Sequence, residues 1–192
     1  MPEELERIFG SGVRVKLLKL FLFNPNSSYS GAEVADRSKS TINSVRREMG
    51  NLEKSGLIRK SKILKKGSST WSLNQKFLYI KALNDFFSSS ELLGNKQIVS
   101  KISKVGKVQL LLISGIFIKN PESRVDIFIV GDNFKKGALS KVIGIIESEM
   151  GREIRYAFFT TNDFKYRFAM FDKLIRDVLD YPHEKVVNKL NI

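Results

Sequence analysis

SGAEVADRSKSTINSVRREMGNLEKSGLIRKSKILKKGSSTWSL, residues 30–73, is the stretch whose reading decides the fold. Ser30 is placed to cap a short helix over Gly31-Ala32-Glu33-Val34-Ala35-Asp36-Arg37, and Ser38-Lys39 makes a tight turn. Ser40 then caps a longer helix that runs to about Ser55. Gly56 supplies the left-handed residue that ends it. Leu57 to Ile63 reads as a strand, Lys65-Lys66-Gly67-Ser68-Ser69 as a basic turn, and Thr70-Trp71-Ser72-Leu73 as the returning strand. Helix, turn, helix and a hairpin with a cationic tip is the order of a winged helix-turn-helix. Such an arrangement lays one helix in the major groove of a duplex and sets the wing on the neighbouring backbone.

The second helix carries its own test. Ile42, Val45, Met49 and Leu52 fall at spacings of three, four and three, which makes one apolar stripe. At about 100° per residue, the opposite face collects Ser40, Asn43, Arg47, Asn51 and Lys54, with Ser44 at its edge and Arg46 and Glu48 on the flanks. Arginine forks onto guanine, asparagine pairs with adenine, and small hydroxyls bond phosphate. The residues expected to touch DNA are therefore Ser40, Thr41, Asn43, Ser44, Arg46, Arg47 and Asn51 on the helix, with Lys62, Lys65, Lys66 and Ser68 on the wing. An ordinary solvated helix face has similar composition; the Gly56 stop and the basic hairpin favour the duplex. Trp71, on the return strand, is expected to pack on the hairpin rather than stack on a base.

Charge points the same way. The formal balance is +13 and the pI about 9.9, the footprint of a polyanionic partner. Between Arg37 and Lys66 stand ten Lys and Arg against only Glu48 and Glu53, so the excess is concentrated where the helix and wing lie. RNA and membrane surfaces are weaker rivals. The chain has no basic amphipathic helix with bulky aromatics and no glycine-aromatic motif of an RNA-recognition sheet.

At 192 residues, with 42% hydrophobic residues and fourteen phenylalanines, the chain can bury two small cores. No apolar run of about 18 residues occurs, so no membrane association is expected. Met1-Pro2-Glu3-Glu4 is acidic where a signal peptide would be basic, which makes a cytoplasmic location the expectation. Zero cysteines exclude disulfides, thiol catalysis and cysteine-ligated metals, and His183 stands alone, so no metal and no cofactor are expected.

The expected fold class is α+β: the winged helix-turn-helix over residues 1–75, a linker helix over 76–90, and a small α/β domain over 91–192. Phe77 to Phe87 reads as an amphipathic helix whose Leu78, Leu83, Phe86 and Phe87 could dock a second copy. Beyond it, Val108–Ile113 and Val125–Val130 are apolar enough to be strands buried on both faces. Gly137–Met150 reads as a helix and Ile154–Thr160 as a third strand. Phe164–Leu179 and Glu184–Leu190 read as closing helices, with Tyr156, Phe158 and Phe159 in the core and Asp177 and Asp180 facing water.

The first half resembles ArsR/MarR-type winged-helix regulators over about residues 5–75. The matching residues are Gly31-Ala32-Glu33-Val34-Ala35, Val45-Arg46-Arg47-Glu48-Met49 and Leu52-Glu53-Lys54-Ser55-Gly56-Leu57-Ile58. The resemblance implies transcription regulation, double-stranded DNA as partner and a homodimer. The second half looks like a small nucleotidyltransferase, a family in which a glycine-serine turn precedes a strand bearing two aspartates, with a third carboxylate on a later strand, all holding divalent metal. Here Ile113-Ser114-Gly115-Ile116-Phe117 stands at the turn and Ser123-Arg124-Val125-Asp126-Ile127 at the aspartate strand. The chemistry departs from that pattern. Ile116 replaces the serine, Arg124 the first aspartate, and Arg155 or Ala157 the third acid, and a cation there repels metal. The implication is a domain with no catalytic residues and a vestigial nucleotide pocket of Gly115, Ile116, Arg124, Asp126 and Arg155, with Arg124 and Asp126 paired. Its role would be dimerisation or sensing of a small-molecule or protein effector. The alternative is an active or vestigial nucleotidyltransferase, or a toxin–antitoxin component, localised by its winged helix.

Overall fold

Ser30 does begin a helix, and the reason is local. Its hydroxyl accepts the Glu33 N–H while the Glu33 carboxylate accepts the Ser30 N–H, a reciprocal box that satisfies two otherwise unpaired donors. In the computed structural model, which describes residues 3–62, 69–89, 94–120, 122–135 and 137–192, helices and two sheets make a mixed α/β chain of two units.

The first unit comprises Met1–Leu93 together with Gly144–Arg152. Helices α1 (Glu3–Phe9) and α2 (Gly12–Phe23) precede a short strand β1 (Ser28–Ser30). Helix α3 (Gly31–Ser38) ends at Lys39, which adopts the left-handed conformation (φ 48°) and turns the chain into α4 (Ile42–Lys54). Gly56, at φ 80°, closes α4, and strands β2 (Ile58–Lys62) and β3 (Ser69–Leu73) follow. The sheet order is β1-β3-β2, all antiparallel, with Trp71 opposite both Tyr29 and Lys60. Helix α2 is the centre of the core: Val15, Leu17 and Phe21 are wholly buried against Val34, Val45 and Leu57. Each such side chain stabilises the fold by roughly 1.5–3 kcal/mol relative to exposure.

Helix α5 (Ile80–Ser89) belongs to this unit rather than linking two others. Phe87 is fully buried, stacks on Phe9 at 5.5 Å, and Ile80 and Leu83 pack on the same core. The expected docking face is thus largely spent within the unit, leaving Leu78 and Tyr79 exposed and Phe86 partly so.

Residues Gly144–Arg152 add a late segment to the same unit. The buried Lys19 ammonium donates to the Glu149 carbonyl at 3.1 Å, and Asn24 donates to the Gly151 carbonyl at 2.8 Å. Burial pulls the Lys19 amine below its ordinary pKa, against the opposing charge of Glu149. Gly151 lies so close to α2 that a Cβ there would sit 2.5 Å from the Lys19 carbonyl carbon, so no other residue fits.

The second unit comprises Gly94–Ile143 and Glu153–Ile192. Its elements are α6 (Asn95–Ser103), β4 (Lys107–Ile113), a 3₁₀ turn (Gly115–Phe117), β5 (Ile127–Asp132), the start of α7 (Ala138–Met150), which passes into the first unit at Gly144, β6 (Tyr156–Phe159), α8 (Thr161–Ala169), α9 (Lys173–Asp180) and β7 (Glu184–Asn188). The sheet order is β6-β5-β4-β7, with β5 and β6 parallel and the other pairs antiparallel. Leu110, Leu112, Phe128 and Val130 face Phe164, Ile175 and Val178 of the helices.

Three expectations change here. Glu184–Leu190 is not a closing helix: Glu184–Asn188 pairs along β4, where Val186 and Val187 suit an edge strand. The single helix over 164–179 is two, because Phe171 turns left-handed (φ 56°) and Asp172 caps a new start, accepting the N–H groups of Leu174 and Ile175. Tyr156 is exposed rather than core, as β6 lies at the edge of the sheet. Among the described residues, no helix is long and apolar enough to cross a membrane.

Candidate nucleic-acid interface

Helix α4 buries Val45, Glu48, Met49 and Leu52 and turns Asn43, Arg46, Arg47, Asn51 and Lys54 outward. The helix cap is Thr41 rather than Ser40. The Thr41 hydroxyl accepts the Ser44 N–H and bonds the Ser44 hydroxyl at 2.9 Å, whereas Ser40 donates to the Ser38 carbonyl inside the turn. Ile42, read as part of the apolar stripe, is 37% exposed, while Glu48, read as a flank, is 2% exposed. Glu48 is held by Arg14 of α2, whose Nε donates at 2.8 Å, and by Asn51 Nδ2 at 3.3 Å; Arg47 Nη2 reaches it at 3.5 Å. Burial pushes the Glu48 carboxyl up, but these hydrogen bonds and the Arg14 charge outweigh it and hold the group below its ordinary range. The one carboxylate pointing inward from α4 is therefore neutralised from behind, and Glu53 is the acid left on the outer side.

Asn43, Arg46 and Arg47 are exposed together on the first turns of this helix, which is the end that reads base edges in a helix-turn-helix. Lys62 ends β2; Lys65, Lys66 and Ser68 lie outside the described residues. Arg59 and Lys60 of β2 are exposed, and the Lys60 ammonium stands 5.3 Å over the Trp71 ring. Trp71 itself packs on the core of the unit.

In the second unit, Gly115, Ile116, Asp126 and Arg155 meet, and Arg124 does not join them. Asp126, 1% exposed, accepts the Ile116 N–H at 3.0 Å, the Arg155 N–H at 2.9 Å, and both arms of the Arg155 guanidinium at 3.1 and 3.0 Å. These bonds to the carboxylate raise the Arg155 pKa. Gly115 (φ 56°) is tight against the pair, since a Cβ there would collide with Asp126 Oδ1. The expected Arg124–Asp126 pair is replaced by Arg124–Asp177 at 2.6 Å, so Asp177 does not simply face water. Asp132, the nearest spare acid along β5, accepts the backbone N–H and the hydroxyl of Thr161. Among the described residues, no group of three His, Asp or Glu is placed to hold a metal ion.

No family model matches the sequence, and no curated protein matches it. The similar solved structures include mutants of Lactococcus lactis ZitR. A single-site mutant is 20% identical and aligns at a TM-score of 0.35 over 49% of this chain and 70% of that one. A double mutant in its apo form is 18% identical, at a TM-score of 0.34 over 54% and 94%.

Three features of the interface escape a reading of residues 30–73 alone. The Arg14–Glu48 pair joins residues 34 apart, so no local spacing announces it. Lys60 and Trp71 pair across β2 and β3, which alternation within a strand could have signalled. An open cleft lies beside α4, lined by Ser30, Ile42, Arg46, Gly50, Glu53 and Trp71, and it exists only once the hairpin folds back.

Proposed function

We propose that this chain is a sequence-specific, double-stranded-DNA-binding transcriptional regulator of the winged-helix type, acting as a homodimer. Its second unit is a nucleotidyltransferase-like module that dimerises or senses an effector and transfers no nucleotide. The observation that carries the reading is the outer face of α4. Asn43, Arg46, Arg47 and Lys54 are all exposed there, and its inward acid is already paired with Arg14. Base-reading and phosphate-binding groups are thereby gathered on one helix of major-groove width, in a chain of charge +13. The second unit supports the non-catalytic reading because both oxygens of Asp126 are engaged by Arg155 and by backbone donors, leaving no free ligand for a metal-assisted step.

Selection of bound fragments from a genomic or random duplex pool tests the proposal. A recurring palindromic motif, bound at least ~1,000-fold more tightly than random duplex, is the expected result. Equal affinity for selected and random duplexes would remove sequence-specific readout.

A further inference from the structure

Gly50 sits in the interior of α4, where glycine is a poor choice. It weakens a helix relative to alanine because the unfolded chain has more freedom to lose. Two physical reasons normally justify a glycine, and neither applies. Its backbone is helical rather than left-handed, so no special φ demands it. A Cβ built at Gly50 meets no heavy atom of the described residues within 4 Å, so nothing among them demands it either. Gly131, inside β5, is the contrast: a Cβ there would lie 2.4 Å from the Lys107 carbonyl oxygen, an internal packing reason.

The surroundings of Gly50 are those of the proposed reading face. Arg46 and Arg47 stand one turn before it, Lys54 one turn after, and Asn43 two turns before, all exposed; Glu53 is the neighbouring acid. At about 100° per residue, Gly50 lies between Asn43, Lys54 and Arg46 around the helix, near the middle of the outward arc.

We infer that the bare backbone at Gly50 is a close-approach point for duplex DNA, where α4 rides against the duplex and sets the depth at which Asn43 and Arg47 meet the bases. The inference rests on the proposed function and adds a positioning residue to it. A side chain at position 50 would act as a spacer, lifting the neighbouring side chains off the base edges although it touches none of them. The anionic character of the partner follows from the three cations around the notch, which a hydrophobic protein partner would leave unpaired.

The test compares the intact chain with Gly50→Ala and Gly50→Leu, using the selected duplex and a random duplex, alongside thermal unfolding. Both variants should unfold at or above the temperature of the parent, since each replaces a helix-interior glycine. Gly50→Leu should bind the selected duplex at least tenfold more weakly, with Gly50→Ala between it and the parent, and the ratio of selected to random affinity should fall. Parent-like affinity and ratio in Gly50→Leu would overturn the inference while leaving the proposed function standing. Failure of the parent chain to bind any duplex would overturn both. A Gly50→Leu protein that unfolds well below the parent would show that position 50 has an internal packing role, and that too would overturn it.

Discussion

Glu48 shows how a single residue can serve a proposed interface from behind it. Its carboxylate lies behind the outward face of α4 and is bonded by Arg14 and Asn51, with Arg47 at the edge of reach. Replacing Glu48 with Gln should destabilise the chain by about 1–3 kcal/mol, because Arg14 loses its charged acceptor in a poorly hydrated place. The pH dependence has a definite sign. The folded carboxyl titrates below its ordinary value of 4.5, so its stabilisation is full above that value and is lost as pH falls through the lower, folded value. Urea midpoints of parent and Glu48→Gln should therefore differ most near neutrality and converge as the pH falls below 4.5 and through the lowered, folded value; a gap that stays constant would remove the ionic explanation. Arg47→Ala makes a different prediction, a loss of roughly 1–3 kcal/mol on the selected duplex with little change on random duplex. Titrations of both duplexes read it directly. The outward residues were legible from 3.6-residue periodicity, whereas Glu48 was not, because a charged residue on the edge of a stripe goes inward only if a distant partner such as Arg14 meets it.

At the scale of elements, the helix-turn-helix and hairpin were readable because each boundary has a local cause: the Ser30–Glu33 box, left-handed Lys39 and Gly56. The C-terminal elements were harder. Glu184–Asn188 is a strand because β4 offers it an edge, a non-local partner that no window of the sequence contains. The helix break at Phe171–Asp172 did have a local signal, an aspartate cap ahead of Lys173-Leu174-Ile175, hidden inside a continuous apolar period. The basic hairpin sequence carries its own prediction. Neutralising Lys65 and Lys66 together should weaken binding to all duplexes alike and lower the slope of log affinity against log salt by roughly 1–2. A loss confined to the selected duplex would instead assign the hairpin a base-reading role. In the second unit, Asp126→Asn should destabilise by about 2–4 kcal/mol, since a buried acceptor serving two backbone N–H groups and a guanidinium is replaced by one that must also place its own donors. Incubation of the parent with labelled nucleotide and magnesium or manganese should leave the label untransferred; transfer abolished by Asp126→Asn at unchanged stability would promote the enzyme reading.

For the whole molecule, a homodimer is expected to place two copies of α4 on successive half-sites of a palindrome. Light scattering of the chain at micromolar concentration should give about twice the monomer mass, and a monomer both free and on DNA would remove the dimer. Of the surface that the amphipathic pattern of residues 77–87 suggested, Phe87 and Leu83 are consumed in the core of the first unit, and Leu78 and Phe86 stay exposed. Periodicity finds an apolar face but cannot say whether a neighbour already covers it.

The first unit is assembled from segments far apart in the chain, and this has a consequence for how it is made. Lys19 and Asn24 find their partners 130 and 127 residues later, at Glu149 and Gly151. On the ribosome, residues 1–93 are complete while that last segment is still unwritten. At about 5–20 residues per second, the 59 residues from 94 to 152 take roughly 3–12 s to add. Throughout that interval the Lys19 ammonium has no Glu149 carbonyl to donate to and is still hydrated. The helix-turn-helix is thus translated first and finished late, so a nascent chain stalled before residue 149 displays α4 on a unit that still lacks the Glu149 and Gly151 carbonyls to which Lys19 and Asn24 donate.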